Sequence, residues 1–471
     1  MRARELIPAA LAVLFTLAPA ARAAPDPEKD AFVREDWIAS FEPGRPDEWG
    51  VAWSVNNFEL PYRAALAGKH RLGTRLFHNY RFGSENGGVG GGALRFFVGT
   101  LPDIGLFMGL QNIHHQTGHD AAAREFSREV TAVGVSRRFK QMLPRLVGGR
   151  ELKTEERNFA GRGADSNARA NTLPMESEIT FAYEHGQDLL AAGRVNSMSV
   201  TRFVAERGRF LMDFTEVGTL DQHYLDTRDC GTTCGNPSGK PFSTDFTQYL
   251  YNVNTDRYGV RVVNDFKLKM GDLERGIFLQ AADPLFLTAL YAYSRDYIGR
   301  GSNTTALPMI PLGRGVSYLP SWRVFFSPFG VEYFQDNYLR RGPLLLNLFW
   351  TKGDNRYERR LGGGFDLRGI PLPRRGKLEV FLTLHRQPLL SWLTGTTLSG
   401  NPLTSAELGR SHLAHDVGGA IELPVWTWAD GSDDPRRLFL YARGGTKSLA
   451  WLPGAYLAAG TYLQTGLGLR L

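Results

Sequence analysis

The amino-acid sequence predicts an all-β fold, a transmembrane antiparallel β-barrel of about eighteen strands. Three observations lead to this prediction: a long alternating stretch at the C-terminus, repeats of the same alternation along the chain, and a regular order of long and short connections. After residue 23 the chain has no apolar run of about 20 residues, the length that a membrane-spanning helix needs. Strands are therefore the elements expected to span.

The C-terminal residues 457–471 alternate between two faces up to the end of the chain. One face is aliphatic, and the other carries small, polar and charged side chains such as Tyr462, Gln464 and Arg470. A period of two is typical of a β-strand. Soluble strands usually end after about 5–6 residues, whereas a strand tilted across a bilayer needs about 9–11. The length of this stretch therefore favours a spanning strand.

Alternation with the same period recurs throughout the chain. Residues 258–270, 361–367 and 378–384 each place apolar side chains on one face and mainly polar or basic side chains on the other. Less regular runs fall near residues 70–82, 92–100, 104–113, 127–139, 176–185, 189–204, 208–217, 246–254, 275–282, 285–295, 322–334, 344–352, 413–424 and 437–445. Together with the final strand, these runs give the count of about eighteen strands.

The connections between the runs alternate in length. If the final strand ends in the periplasm, the long segments 387–412, 296–321 and 218–245 are external and the short connections between them are periplasmic. Outer-membrane barrels have this order of short periplasmic turns and longer external loops. The long polar segment 140–175 breaks the order. Either a strand is miscounted there, or the segment is a periplasmic insert.

The N-terminal residues 1–23 are predicted to form a cleaved signal peptide. Arg2 and Arg4 supply the positive start, a short apolar run follows, and an A-x-A cleavage site ends at Ala23. The sequence thus predicts a signal peptide at 1–23, an N-terminal periplasmic segment or extra strand at 24–69, and the transmembrane β-barrel at 70–471.

Cysteine content and charge exclude other classes of function. The two cysteines, Cys230 and Cys234, lie close together in a chain predicted to be exported, which favours a disulfide that closes a small loop. Too few ligands lie near them for a metal site, and no cofactor is expected. The formal net charge is +7, and the basic residues are scattered among apolar strands and do not form a cluster. Nucleic acid is therefore not an expected partner.

A chain that ends on a long alternating strand resembles the bacterial outer-membrane β-barrels, whose last strand closes the barrel on the first. Those barrels usually end on an aromatic residue, whereas this chain ends on Leu471. In size, charge and aromatic content the chain resembles the porin-like barrels of exopolysaccharide and capsule export. The resemblance implies an outer-membrane location, contact with outer-membrane lipid, and passage of a polysaccharide or a small anionic solute. A separate periplasmic protein would deliver the polymer.

The lumen face of the predicted barrel is the candidate binding surface. Basic groups in a channel attract anions, and aromatic rings offer flat apolar platforms to sugars. The alternative is that polar side chains simply fill a wet interior, balanced by acidic residues such as Asp366 and Glu379. The candidate lumen residues are Arg257, Arg261, Lys267, Lys269, Arg360, Arg368, Phe381, His385, Tyr441, Arg443 and Tyr462.

A second candidate is the histidine-rich segment 114–119, HHQTGH. It is similar to the His-x-Ser-Asn-Gly segment of outer-membrane phospholipase A, in which a histidine activates a serine. The similarity implies that His115 is the base, Thr117 the nucleophile and Glu129 the group that orients the histidine. Thr117 and Gly118 stand where that family has serine and asparagine, and we do not expect an enzyme. The candidate functions are, in order, a glycan export channel, a solute porin and a lipid hydrolase.

Overall fold

The described part of the chain combines one long antiparallel sheet with helices. The computed structural model describes residues 36–43, 51–53, 88–104, 164–208, 245–260, 265–302, 304–354, 359–388, 390, 411–427, 437–454 and 460–470. Antiparallel β-structure is the main architecture of these residues, as the sequence predicted. The helices are a second component that the sequence analysis did not predict.

Eleven of the described strands belong to one sheet. Their bounds are β1 Asp36–Pro43, β2 Val51–Trp53, β5 Ile310–Gly313, β6 Val316–Ser327, β7 Gly330–Arg341, β8 Leu344–Asp354, β9 Arg359–Pro371, β10 Lys377–Pro388, β11 Ser411–Thr427, β12 Arg437–Lys447 and β13 Gly460–Arg470. A separate ribbon pairs β3 Arg194–Asn196 with β4 Thr304–Ala306. Strands β5 to β13 form a meander in chain order.

The first and the last strand of the long sheet are neighbours. Strand β1 pairs antiparallel with β13, from Asp36 opposite Arg470 to Phe41 opposite Thr465, and β2 pairs with β1. Strands β1 and β2 lie in the segment 24–69, for which an extra strand was one of the two expectations. The strands that the structure describes do not close into a barrel, because their order begins at β2 and ends at β5.

Sequence periodicity located the six C-terminal strands correctly. The runs near 344–352, 361–367, 378–384, 413–424, 437–445 and 457–471 correspond to β8, β9, β10, β11, β12 and β13. The single strand predicted near 322–334 is wrong, because a hairpin turn between β6 and β7 interrupts it. The loop predicted at 296–321 is also wrong in part, since it contains β4, β5 and the start of β6.

The central part of the described chain is helical where strands had been predicted. The helices are α1 Gly88–Leu94, α2 Ala164–Ala192, α3 Ser197–Arg207, α4 Asp245–Asn252, α5 Met270–Ala281 and α6 Pro284–Tyr293, and π-helical turns extend α1 to Thr100, α4 to Arg257 and α6 to Gly299. The strands predicted near 92–100, 176–185, 246–254, 275–282 and 285–295 are therefore wrong, and the one near 189–204 is wrong except for the three residues of β3. The strand predicted at 258–270 is wrong too, since its described residues up to 269 lie between α4 and α5 and Met270 begins α5.

Local capping signals explain why α5 and α6 are helices. Asp283 is the N-cap of α6: its carboxylate accepts a hydrogen bond from the Leu285 amide, and Pro284 occupies the first turn. Asp272 accepts from the Lys269 amide at the start of α5. The Asp283–Pro284 pair resembles a turn signal equally well, so a period-two count misses the helix that it begins.

Several expectations lie wholly or mainly outside the described residues. They are the signal peptide at 1–23, the runs near 70–82, 104–113, 127–139 and 208–217, and the cysteines Cys230 and Cys234. In the segment 140–175, the structure describes residues 164–175, which form the first turns of α2. That part of the segment is therefore helix and not a miscounted strand.

Strand β6 would be an exposed sheet edge without the helices beside it. Strand β5 pairs with only the first three residues of β6. Side chains from the helices hydrogen-bond to the backbone of the rest of β6. The Trp322 amide donates to Asp283, the Trp322 carbonyl accepts from Arg207, and the Val324 carbonyl accepts from Gln280. Helices α3, α5 and α6 thereby satisfy an edge that would otherwise pair with another chain.

Apolar clusters hold the helices to both faces of β6 and β7. On one face, Leu273 and Ile277 of α5 pack with Val324 and Phe326, together with side chains of α4. On the other face, residues of α2, α3 and α6 pack against Leu319, and α2 also contacts the ring of Phe325. Strands β6 and β7 are therefore enclosed between helices, whereas β9, β11, β12 and β13 carry exposed apolar side chains.

Replacing Asp283 with alanine should lower the free energy of unfolding by about 3–5 kcal/mol. The substitution leaves the buried Arg207 guanidinium, 2.9 Å from the carboxylate, without its counter-charge and removes the acceptor of the Trp322 amide. Denaturant unfolding followed by tryptophan fluorescence measures the change. As the control, Glu274→Ala on partly exposed α5 should stay within about 0.5 kcal/mol. Equal effects of the two substitutions would contradict this role of Asp283.

Candidate functional site

The register of β8 to β13 divides their side chains between two faces. The polar face carries Asp366, Phe381 and Arg443, and the apolar face carries Leu361 and Val417. On β13, Tyr462 and Gln464 occupy polar-face positions, because they lie opposite Gly445 and Arg443. The alternation predicted from the sequence therefore gives the correct faces for these strands.

A cluster of charged and aromatic side chains occupies the polar face of β9 to β13 beside helix α2. We call it the Arg368–Arg443 cluster. Strands β9 to β12 and helix α2, which are far apart in the sequence, contribute most of its side chains, and β13 contributes the ring of Tyr462. Its members are Glu184, Gln187, Asp188, Asp366, Arg368, Glu379, Phe381, Asp416, Tyr441, Arg443 and Tyr462.

Arg368 is the centre of the first half of the cluster. Its Nε atom lies 3.0 Å from Asp366 Oδ2 and 3.5 Å from Glu379 Oε2, and its Nη1 lies 3.6 Å from Asp188 Oδ1 on α2. The pairing of β9 with β10 shifts register here, and Gly369 adopts a φ of +80°. A bulge of this kind re-aims a side chain, which brings Arg368 beside Glu379.

Arg443 is the centre of the second half. Its guanidinium carbon lies 4.6 Å from the centroid of the Phe381 ring, and its Nη1 lies 3.9 Å from Glu379 Oε1. The Tyr462 hydroxyl donates a hydrogen bond of 3.0 Å to Asp416. Glycines make room for the rings, because a Cβ at Gly418 would meet the Phe381 ring and one at Gly445 would meet the Tyr462 hydroxyl, each at 2.7 Å.

Helix α2 supplies the wall of the cluster. The Gln187 amide donates to Asp366 Oδ2 at 3.1 Å and to the Tyr183 hydroxyl at 2.7 Å, and Asn347 of β8 donates to the same hydroxyl at 2.9 Å. One turn away, burial raises the pKa of the Glu184 carboxyl above its ordinary value, and the nearby arginines offset this in part. The helix therefore meets the sheet through polar contacts at this point.

The cluster contains buried acceptor atoms without donors. Asp366 is only 7% exposed, and within the described part of the chain its Oδ1 has no hydrogen-bond partner. Within the described part of the chain, Gln187 Oε1 and Glu379 Oε1 likewise have no hydrogen-bond partner. A buried acceptor without a donor is costly. These atoms are therefore places where a donor group would be stabilising.

Carboxylates outnumber basic groups around the cluster. Glu184, Asp188, Asp366, Glu379 and Asp416 face Arg368 and Arg443, with Lys447 near Asp416 as a third basic group. Nearby on the polar face, Arg360 and Glu332 form a fully buried ion pair. The local balance is therefore acidic, which does not support the anion preference predicted for this face.

The structure separates the eleven candidate lumen residues into three groups. Arg368, Phe381, Tyr441, Arg443 and Tyr462 come together in the cluster. Arg360 and His385 lie on the same face but are buried, with His385 Nε2 3.8 Å from Glu332 Oε2. The remaining four, Arg257, Arg261, Lys267 and Lys269, lie in or directly before the predicted strand 258–270, where none of the described residues is in a strand.

The basic residues of that predicted strand do not line a common face. Arg257 is buried at the end of the π-helical turn after α4, with its guanidinium 4.5 Å from the Phe329 ring centroid. The backbone amide of Lys267 donates to the Asn254 side chain, and Lys269 is the N-cap residue of α5. Arg261 lies outside the described residues. The prediction of an anion-conducting strand from this charge pattern is therefore wrong.

Sequence reasoning missed the residues that α2 contributes. Tyr183, Glu184, Gln187 and Asp188 form two pairs spaced four residues apart, which places each pair on one side of a helix. That spacing is a helical signal, and it extends from the run 176–185, which was assigned to a strand, into the connection that follows it. The candidate catalytic residues His115, Thr117 and Glu129 lie outside the described residues.

Comparison with known proteins identifies no relative of the chain. No protein-family model, no curated protein and no solved structure matches it. Among the described residues, no group of three or more histidine, cysteine, aspartate or glutamate side chains is arranged to hold a metal ion. None of the described helices is long and apolar enough to cross a membrane.

Replacing Glu184 with glutamine should make the protein relatively more stable as the pH rises. The folded state binds the Glu184 proton more tightly than the unfolded state, whose carboxyl has the ordinary pKa of 4.5. The contribution of Glu184 to stability is therefore greatest below that value and falls as the pH rises through the folded-state pKa. Unfolding free energies of both proteins between about pH 4 and 7 measure this. Parallel pH profiles would contradict it.

Proposed function

We propose that the chain is an outer-membrane protein whose sheet belongs to a transmembrane β-barrel and whose polar face provides a path for polysaccharide. The observation that carries the proposal is the division of β9 to β13 into two faces of opposite character. One face presents apolar side chains to the surroundings, and the other holds the Arg368–Arg443 cluster. Spanning strands alternate in this way between lipid and lumen.

The apolar face supports contact with lipid. Large apolar side chains on β9, β11, β12 and β13 are 41–63% exposed, and Leu423 of β11 lies opposite Leu440 of β12. Exposed apolar side chains gathered on one face of a sheet are unusual for a protein surrounded by water. The exposed residues are Leu361 on β9, Leu413, Val417 and Leu423 on β11, Leu440 on β12 and Leu463 on β13. Helices α4 and α5 cover β6 and β7, so we assign the lipid contact to β9 to β13.

The pairing of β1 with β13 supports the barrel. A closed antiparallel barrel requires its first and last strands to be neighbours, and this pairing joins the two ends of the described chain. The closure itself is part of the proposal. Closure would leave no free edge in the bilayer, where each unpaired backbone group is costly.

The polar face supports a hydrophilic path. The rings of Tyr441 and Tyr462 are partly exposed among charged groups, and the Asp416 carboxylate accepts a hydrogen bond from the Tyr462 hydroxyl. Rings and polar groups in alternation suit a sugar chain, whose units have apolar C–H faces and hydroxyl edges. A separate periplasmic protein would deliver the polymer to this face.

Membrane insertion predicts opposite effects of arginine at two consecutive positions. Leu463→Arg, on the apolar face, should impair assembly by about 2–4 kcal/mol if the position lies near the bilayer midplane, whereas Gln464→Arg, at a polar-face position, should be tolerated. Outer-membrane fractions and the mobility of unboiled protein in detergent gels report assembly. In a water-soluble protein, arginine at exposed Leu463 would be harmless, and that result would refute the membrane assignment.

Polysaccharide passage predicts a selective loss at the cell surface. Deleting the gene should reduce surface polysaccharide while synthesis continues, so that polymer accumulates inside the cell. Labelling of surface glycan and assay of cell-associated polymer separate the two quantities, and expression of the unmutated chain should restore export. Normal surface polysaccharide in the deletion strain would favour a solute porin instead.

A further inference from the structure

We propose that the Arg368–Arg443 cluster binds a neutral, polyhydroxylated sugar chain and disfavours an acidic one. The inference deepens the proposed function and rests on it, since it concerns the chemistry of the solute at the same face. It reverses the charge preference expected from the sequence. Three features of the cluster carry it: acceptors without donors, flat aromatic rings, and an excess of carboxylates.

The unsatisfied acceptor oxygens of the cluster favour a ligand that donates hydrogen bonds. Asp366 and Gln187 are more than nine-tenths buried, and one oxygen of each has no partner among the described residues, as is true of Glu379 Oε1. A hydroxyl group can donate to these oxygens, whereas a carboxylate or phosphate cannot because it only accepts. The unsatisfied oxygens thus favour hydroxyls over anionic groups.

Access to Glu379 is controlled by Arg443. The guanidinium of Arg443 lies 3.9 Å from Glu379 Oε1, which is longer than a hydrogen bond. Its side chain is 28% exposed and that of Glu379 is 17% exposed. A ligand hydroxyl can reach this oxygen, which is itself buried, only when the Arg443 side chain moves away from it.

The charges set the preference against acidic polymers. The five carboxylates of the cluster exceed the three nearby basic groups, Arg368, Arg443 and Lys447, when all are ionised. Asp188, whose side chain is 73% exposed, places one of these carboxylates at the surface. Repulsion from this excess acts on a uronate or phosphate but not on a neutral sugar unit.

Calorimetric titration of the purified full chain in detergent micelles tests the inference. The probes are a neutral oligosaccharide, maltohexaose, and an acidic one of equal length, hexagalacturonate. The unmutated protein should bind the neutral probe at least about tenfold more tightly. Glu379→Gln should weaken neutral binding about tenfold, because an acceptor is lost, and should strengthen acidic binding, because a negative charge is removed.

The opposite shifts separate ligand recognition from a structural role. A variant that is merely damaged loses affinity for both probes, and Tyr441→Ala, which removes a ring without changing charge, should weaken neutral binding without improving acidic binding. Glu274→Gln on α5 has the same charge change as Glu379→Gln and should alter neither affinity. Tighter binding of the acidic probe, or no sugar binding by correctly inserted protein, overturns the inference. Failure of insertion itself would instead overturn the proposed function.

Discussion

The alternation of side chains in β8 to β13 is the constraint on which the rest of the structure depends. Because successive residues of a strand point to opposite faces, a slip of one residue would move Arg443 to the apolar face and Leu440 to the polar face. The antiparallel register therefore fixes both the surface that the sheet offers to its surroundings and the residues that meet α2. The bulge at Gly369 departs locally from this pattern, and it is the point where Arg368 meets Glu379.

Buried charge on the polar face is compatible with folding because it is paired. Arg323 forms two hydrogen bonds of 2.7 Å to Asp336, and its guanidinium carbon lies 3.6 Å from the centroid of the Tyr183 ring. Such pairs stabilise little by themselves, but loss of one partner is severe. They specify where α2 can lie, since Tyr183 fits only above Arg323 and beside Asn347. The Arg368–Arg443 cluster differs, because its acceptors are incompletely satisfied.

Alternating polarity located β9 to β13 correctly, but it was not sufficient by itself. The same alternation occurs at 258–270, where no described residue lies in a strand, and the uniformly apolar α6 was missed. Strands β9 to β13 were located from their period, and their polar-face residues Phe381, Arg443 and Tyr462 follow from it. Helix α6 has the sequence PLFLTALYAY, which is apolar on all sides, and a short run of this kind fits a strand or a helix equally well. The N-cap at Asp283 favours the helix, but this signal is a single residue and a count of periodicity does not detect it. The contribution of α2 to the site requires tertiary packing, which no local pattern contains.

The position of α2 restricts how a polymer can pass along the polar face. Helix side chains already fill the space over β6 to β8, where Tyr183 and Leu190 contact the sheet. The proposed path must therefore run beside α2, over β10 to β13, where the exposed Asp188 carboxylate of α2 and the partly exposed rings of Tyr441 and Tyr462 remain. In a wide aqueous pore the charge of a solute is screened within about 8 Å at physiological salt. Confinement between a helix and a sheet would bring each sugar unit of the proposed solute well within that distance, so the unequal numbers of carboxylates and arginines would act directly on it.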